Sequence, residues 1–420
     1  MIIASVVLVL LAILGAPLFA VIATSAMLGF TREDTDLLNM AIEILGLAEL
    51  PFLTAIPLFT FAGFILSESN APQRLVRMTG ALIGWMPAGL AVVSLATCAL
   101  FTAFTGASGV TIIALGALLY PALKQDGYPE RFNLGLITAS GSLGLLFAPS
   151  LPLILYGVIA EESIDHLFRA GILPGILMIV MLSGWSLWVN RGNRQMIKKF
   201  SWKELGLATR EAIWEIPLPF VVLGGIYSGF LAVSDAAAIT ALYVLIVEVG
   251  ILREIPLREL PRVIRSSMVL VGGILIILAV SLASTNYMIS AGIPQMLLEW
   301  VSSMVTSQTS FLFLLLAFLL VLGAILDIFS AIVLVVPLIL PIAAGFGVHP
   351  IHLGIVFLAA MELGYLTPPV GLNLFISSYR FEKPILHVYS ATFPFLMILL
   401  LSVILIAFWP DLSLWLVPDS

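Results

Sequence analysis

The chain has 420 residues, 61% hydrophobic and only 10% charged, with a mean hydropathy of +1.16 and a formal net charge of -6. Soluble folds carry about 25% charged residues, so a soluble fold is excluded and a multi-span membrane protein remains. Cys98 stands alone, which rules out a disulfide within the chain and speaks against a cysteine-rich metal site.

In chain order, Met1 to about Phe30 reads as a first span that is retained rather than cleaved, because no basic segment precedes it. Met40 to Leu50 is short and amphipathic, and Phe52 to Leu66 is a second span. The stretch 86–124 is apolar but broken at Thr105-Gly106-Ala107-Ser108-Gly109. Its two arms fall short of the ~20 residues that a spanning helix needs, so it reads as a re-entrant hairpin. Residues 132–157 then cross outward through a second break, Gly141 to Ser150, and Ile172 to Val189 returns. Arg191, Arg194, Lys198, Lys199, Lys203 and Arg210 mark a cytoplasmic loop, because Lys and Arg set topology.

Ile213 to Phe230 is a spacer span and Ala236 to Leu252 comes back to Arg253, Arg258, Arg262 and Arg265. Ser267 to Ser290 goes out, and Gln295 to Val305 is amphipathic. The stretch 311–344, interrupted at Gly323 to Ser330, is a second hairpin, and 353–377 a second broken helix. His387 to Trp409 ends the series, with Met1 expected in the cytoplasm and Ser420 outside.

Two of these segments match at a constant offset of 220 residues: Leu143, Gly144, Leu146 and Pro149 fall on Leu363, Gly364, Leu366 and Pro369. Gly/Pro interruptions at corresponding places in two halves are the sequence mark of a secondary transporter's binding site. The expected fold is an all-α polytopic membrane protein with an inverted-topology repeat. Residues 1–190 form one repeat, 191–233 a basic loop and spacer helix, and 234–420 the other.

A cation in a membrane needs oxygens in place of its water shell, and an anion needs N–H donors of the kind that half-helix N-termini supply. The breaks bring both resources. One candidate cluster joins Gly106, Ser108 and Gly109 to Gly144, Ala148, Pro149 and Ser150; the other joins Asp327 and Ser330 to Gly364, Thr367, Pro368, Val370 and Asn373. Ser150, Ser330, Pro368 and Asn373 are assigned to substrate, and the rest to the ion. Each has a plainer reading: Ser108 bonding back to its own helix, Gly144 and Gly364 allowing close packing, Asn373 as an interhelical bond. Asp327 is the sharpest, because an intramembrane carboxylate is costly and usually functional. Glu362 is similar, though Ser142 takes its place in the first half, and Asp235 reads as a turn cap. No HExxH, Walker A or GxSxG motif supports an enzyme.

The block Gly323 to Asp327, Pro337 and Pro341, and Leu363-Gly364-Tyr365-Leu366-Thr367-Pro368-Pro369-Val370-Gly371-Leu372-Asn373 resembles the large membrane subunit of tripartite ATP-independent periplasmic (TRAP) transporters, the DctM-like family. Thr105 to Gly157 and Ile56-Pro57-Leu58-Phe59 resemble it as well. The resemblance implies an elevator-type importer in the cell inner membrane, which couples sodium ions to an organic anion such as a carboxylate. It also implies two partners, a small four-helix membrane subunit and a periplasmic substrate-binding protein, with the sodium sites at the hairpin tips and broken helices. The chain departs from the family at Ala148-Pro149-Ser150, Gly106-Ala107-Ser108-Gly109 and Ala232-Val233-Ser234-Asp235. A stand-alone carboxylate:cation symporter of the same superfamily and a non-transporting membrane scaffold are the alternatives.

Overall fold

The structure, a computed structural model, describes residues 7–8, 10–11, 14, 16–32, 36–47, 53–86, 88–191 and 200–418. The start of the expected first span, residues 192–199 of the basic loop and Ser420 lie outside the described residues. Every regular element described is helical. In order these are α1 (Leu18–Arg32), α2 (Leu38–Gly46), α3 (Ala55–Glu68), α4 (Ala71–Ile83), α5 (Gly89–Thr105), α6 (Ser108–Gln125), α7 (Glu130–Ser140), a tight turn (Leu143–Leu146), α8 (Leu151–Ala160) and α9 (Ile164–Asn190). They continue with α10 (Trp202–Glu211), α11 (Pro217–Tyr227), α12 (Val233–Leu245, widening over Ile246–Ile251), α13 (Leu260–Ser290), α14 (Ile293–Met304) and α15 (Gln308–Gly323). The last are α16 (Ile328–Gly345), α17 (Pro350–Gly364), α18 (Leu372–Arg380), α19 (Ile385–Phe408) and α20 (Asp411–Leu414).

Among the described residues five helices are long and apolar enough to cross a membrane, seven if each bent pair counts as one span. The chain is therefore an all-helical, multi-span membrane protein. One bent pair, 130–146 with 151–160, turns by 43° where Gly141 and Pro149 interrupt the ladder. The other, α14 with α15, turns by 111°, so the amphipathic 295–305 stretch lies nearly across the helix that follows.

The 220-residue offset holds for whole elements. It carries Ser108–Gln125 onto Ile328–Gly345, and α7, α8 and α9 onto α17, α18 and α19 to within a few residues at their ends. The peptide bonds Ala148–Pro149 and Pro368–Pro369, also 220 apart, are both cis.

Two helices went unread in the sequence because they are too polar to span. α4 carries Arg74 and Arg77 on one face and buries Ala71, Pro72, Leu75 and Thr79 on another. α10 starts at a cap: Glu204 N donates to Ser201 Oγ at 3.4 Å, and Ser-x-x-Glu is a capping-box signature that the basic run obscured. Asp235 is the turn residue expected, its Oδ2 accepting from Ala232 N at 3.3 Å.

Candidate ion and substrate site

Each hairpin is locked to its broken helix through a glycine. A Cβ on Gly144 would lie 2.2 Å from Ala99 O and 2.5 Å from Ala103 N, so the turn after α7 rests on the α5 backbone. A Cβ on Gly364, its counterpart, would lie 2.6 Å from Gly323 Cα at the end of α15. Small residues let backbones approach in lipid, where dispersion and polar bonds must hold helices together.

At the first break, Gly106 adopts φ +65° and packs where a Cβ would meet Leu151 at 2.6 Å. Thr102 Oγ1 donates to Gly141 O at 2.9 Å and lies 2.7 Å from Thr111 Oγ1, tying both hairpin arms to the broken helix. Ser108 is buried at the start of α6, and Gly109 faces Ile376 of α18. The first hairpin thus touches both broken helices.

At the second break, Tyr365 Oη accepts from Ile328 N at 2.7 Å, and Gly371 N donates to Ala324 O at 3.1 Å. Thr367 Oγ1 donates to Leu363 O at 3.0 Å. Asn373 Nδ2 donates to Thr138 O at 3.4 Å, and Thr138 Oγ1 lies 2.9 Å from Ser377 Oγ, so α18 is stitched to α7 of the other half. Pro368 and Val370 are exposed.

Asp327 proves to be the N-cap of α16. Its Oδ1 accepts from Phe329 N and Ser330 N, both at 3.0 Å, and its Oδ2 from Ser330 Oγ at 2.5 Å. The side chain borders a cavity of about 350 Å³ between Ser330, Val333 and the Val269–Ile277 face of α13. Capping answers part of the cost of this carboxylate, and one lone pair of Oδ2 remains for a further donor or cation.

The other three break helices lack such a cap. Ala107, Ser150 and Gly371 precede α6, α8 and α18 with no side-chain cap bond. Several buried oxygens here are left without a hydrogen-bond partner: Thr105 Oγ1, Ser142 Oγ, Ser150 Oγ, Asn373 Oδ1 and both carboxylate oxygens of Glu362. Orphaned oxygens with no nitrogen or sulfur donor suit a hard cation such as sodium, and uncapped N-termini suit an anion. Among the described residues no three His, Cys, Asp or Glu side chains gather as a metal site. Thr102, Thr111, Thr138, Tyr365 and Ser377 were not among the residues singled out from the sequence. Their common signal is a hydroxyl in an otherwise apolar helix near a break.

The chain resembles known proteins over nearly its whole length. Residues 2–412 match the family model "Tripartite ATP-independent periplasmic transporter, DctM component". A C4-dicarboxylate TRAP transporter large permease protein, DctM of Pseudomonas aeruginosa, is 33% identical over 90% of this chain and 88% of that protein. The isethionate TRAP transporter permease protein DctMQ of Oleidesulfovibrio alaskensis is 31% identical over 84% of this chain and 56% of that longer protein. The crystal structure of the YdaH transporter of Alcanivorax borkumensis shares the fold, with a TM-score of 0.65 at 14% identity, covering 90% of this chain and 89% of the other. The chain belongs to the DctM family of TRAP transporters: it is a large permease subunit, a transporter component and not an enzyme.

Proposed function

We propose that this permease imports an organic anion coupled to sodium, with the anion delivered by a periplasmic binding protein. The observation that carries the reading is the packing of each hairpin break against a helix break, where oxygens lack partners and three helix N-termini lack caps. The ion would be held by Gly106, Ser108, Gly109, Gly144, Ala148 and Pro149 at one break, and by Asp327, Gly364, Thr367 and Val370 at the other, largely through backbone carbonyls. Its chemical contribution is positive charge beside the anion. Ser150, Ser330, Pro368 and Asn373 would orient the anion, with the N-termini of α6, α8 and α18 facing its charge. The relatives named for C4-dicarboxylate and isethionate support an organic anion as the class. The relative named DctMQ, of which this chain covers 56%, supports a small Q-type subunit as a partner.

The matched element order supports two repeats of inverted topology, residues 1–190 and 234–420, with the spacer between them reversing the second. α5–α6 and α15–α16 would then be re-entrant hairpins entering from opposite faces and moving as an elevator. Reporter fusions check the orientation: those at Lys199 and Arg258 are expected to score cytoplasmic, and a periplasmic score at either reverses the assignment.

Uptake into proteoliposomes tests the function. The permease with its small subunit is expected to show little uptake of free anion until both sodium and the cognate binding protein are supplied. Full uptake without the binding protein would instead support the stand-alone symporter.

A further inference from the structure

Away from the breaks, one guanidinium serves three carboxylates. Arg74 on α4 bonds Glu215 just before α11, with Nε donating to Oε1 at 2.6 Å. It reaches Glu248 in the widened end of α12 at 3.0 Å, and Glu254 beyond it. The four side chains are 12%, 3%, 1% and 17% exposed, in the order Arg74, Glu215, Glu248, Glu254. Both Glu248 oxygens accept from Arg74, at 3.0 and 3.2 Å, and Glu254 Oε2 accepts from Asn70 N at 2.6 Å. Glu215 Oε2 is the exception: it is buried and has no hydrogen-bond partner.

Among the described residues the surrounding groups do not fill that gap. The Tyr243 hydroxyl, from α12, is directed to Trp214 O at 2.8 Å. Arg262 pairs with Glu68 of α3 and with Glu259, Arg77 pairs with Glu204 and Glu211 of α10, and Arg253 Nε turns to Gly250 O. Among the described residues one positive charge therefore faces three potential negative ones with little water, and an uncompensated buried carboxylate is relieved most simply by a proton.

We infer that this cluster carries a resident proton on Glu215 and acts as a pH-sensitive latch that fastens α4 to the α11–α12 segment. α4 ends at Ile83 and the first hairpin starts at Gly89, so the latch lies at the root of that hairpin. Ionisation of Glu215 adds a further uncompensated charge and loosens the contact. The unfolded chain ionises this carboxyl at lower pH than the folded one, so stability is full below the unfolded pKa and declines as pH rises toward the folded value.

The test is the melting temperature of the full-length protein in detergent or nanodiscs, from about pH 5, just above the ordinary carboxylate range, to about pH 8. The wild type is expected to lose Tm as pH rises. Glu215→Gln, which keeps the shape of the protonated acid, is expected to remove that loss and to be the more stable form at the upper end. Glu254→Gln, which leaves Arg74 two carboxylates, is expected to shrink the loss and end it at lower pH, and it carries the test should Glu215→Gln not accumulate. A flat wild-type profile overturns the latch, as does an unchanged loss in either variant.

Discussion

Asp327→Asn is expected to give a folded, correctly inserted permease that needs far more sodium. Asparagine caps a helix about as well as aspartate, so the bonds from Phe329 N and Ser330 N survive and α16 keeps its start. What disappears is the negative charge beside the cavity shared with α13. If the carboxylate helps to hold a cation, the sodium concentration for half-maximal uptake rises on the order of tenfold, equivalent to ~1.4 kcal/mol. Asp327→Ala separates the two roles, because it also removes the cap and costs roughly 0.5–2 kcal/mol of stability. Uptake measured against sodium, with melting temperature alongside, reads both. An unchanged sodium dependence in Asp327→Asn reduces this residue to a cap.

The second large effect belongs to the paired glycines. Gly364→Ala drives a methyl to 2.6 Å from Gly323 Cα, and Gly144→Ala drives one to 2.2 Å from Ala99 O. Both obstacles are backbone, so no flexible side chain can swing aside. Overpacking of this kind costs about 1–3 kcal/mol and displaces the break from its hairpin. Either change is expected to cut uptake by roughly tenfold or more, since misplacement by about an ångström at a preorganised site has that scale. Gly272→Ala in α13, where nothing lies within 4 Å of an added Cβ, is the matched control and is expected to be neutral. Equal uptake by Gly364→Ala and the control would show that the close approach is dispensable.

The elements that could be read from the sequence are those with a covalent signature. Glycine and proline mark the breaks, apolar length marks the spans, and the 220-residue repeat pairs them. α4 and α10 stayed hidden because amphipathic helices beside a membrane resemble charged loops in composition. Tyr365 stayed hidden for the opposite reason: Leu145 holds the equivalent position, so comparison of the halves hid its hydroxyl. The Arg74 cluster could not be read at all, since its partners lie 141, 174 and 180 residues away. Asp327 was legible as a costly carboxylate, but its cap bonds depend on the extended backbone just before α16, which the residue type alone does not reveal.

The bond from Asn373 to the Thr138 carbonyl and the bond from the Thr138 hydroxyl to Ser377 tie the two halves of the chain to each other. Thr138 lies fully buried, and its carbonyl would lose the Asn373 donor if the second half were missing. Such a group costs several kcal/mol in lipid, which favours re-pairing over independent survival. A gene cut within the basic stretch between Arg191 and Lys203 should therefore yield fragments that are degraded when made singly and that co-purify when made together. The permease would then be divisible into two polypeptides that recognise each other by buried polar bonds rather than by a shared surface loop.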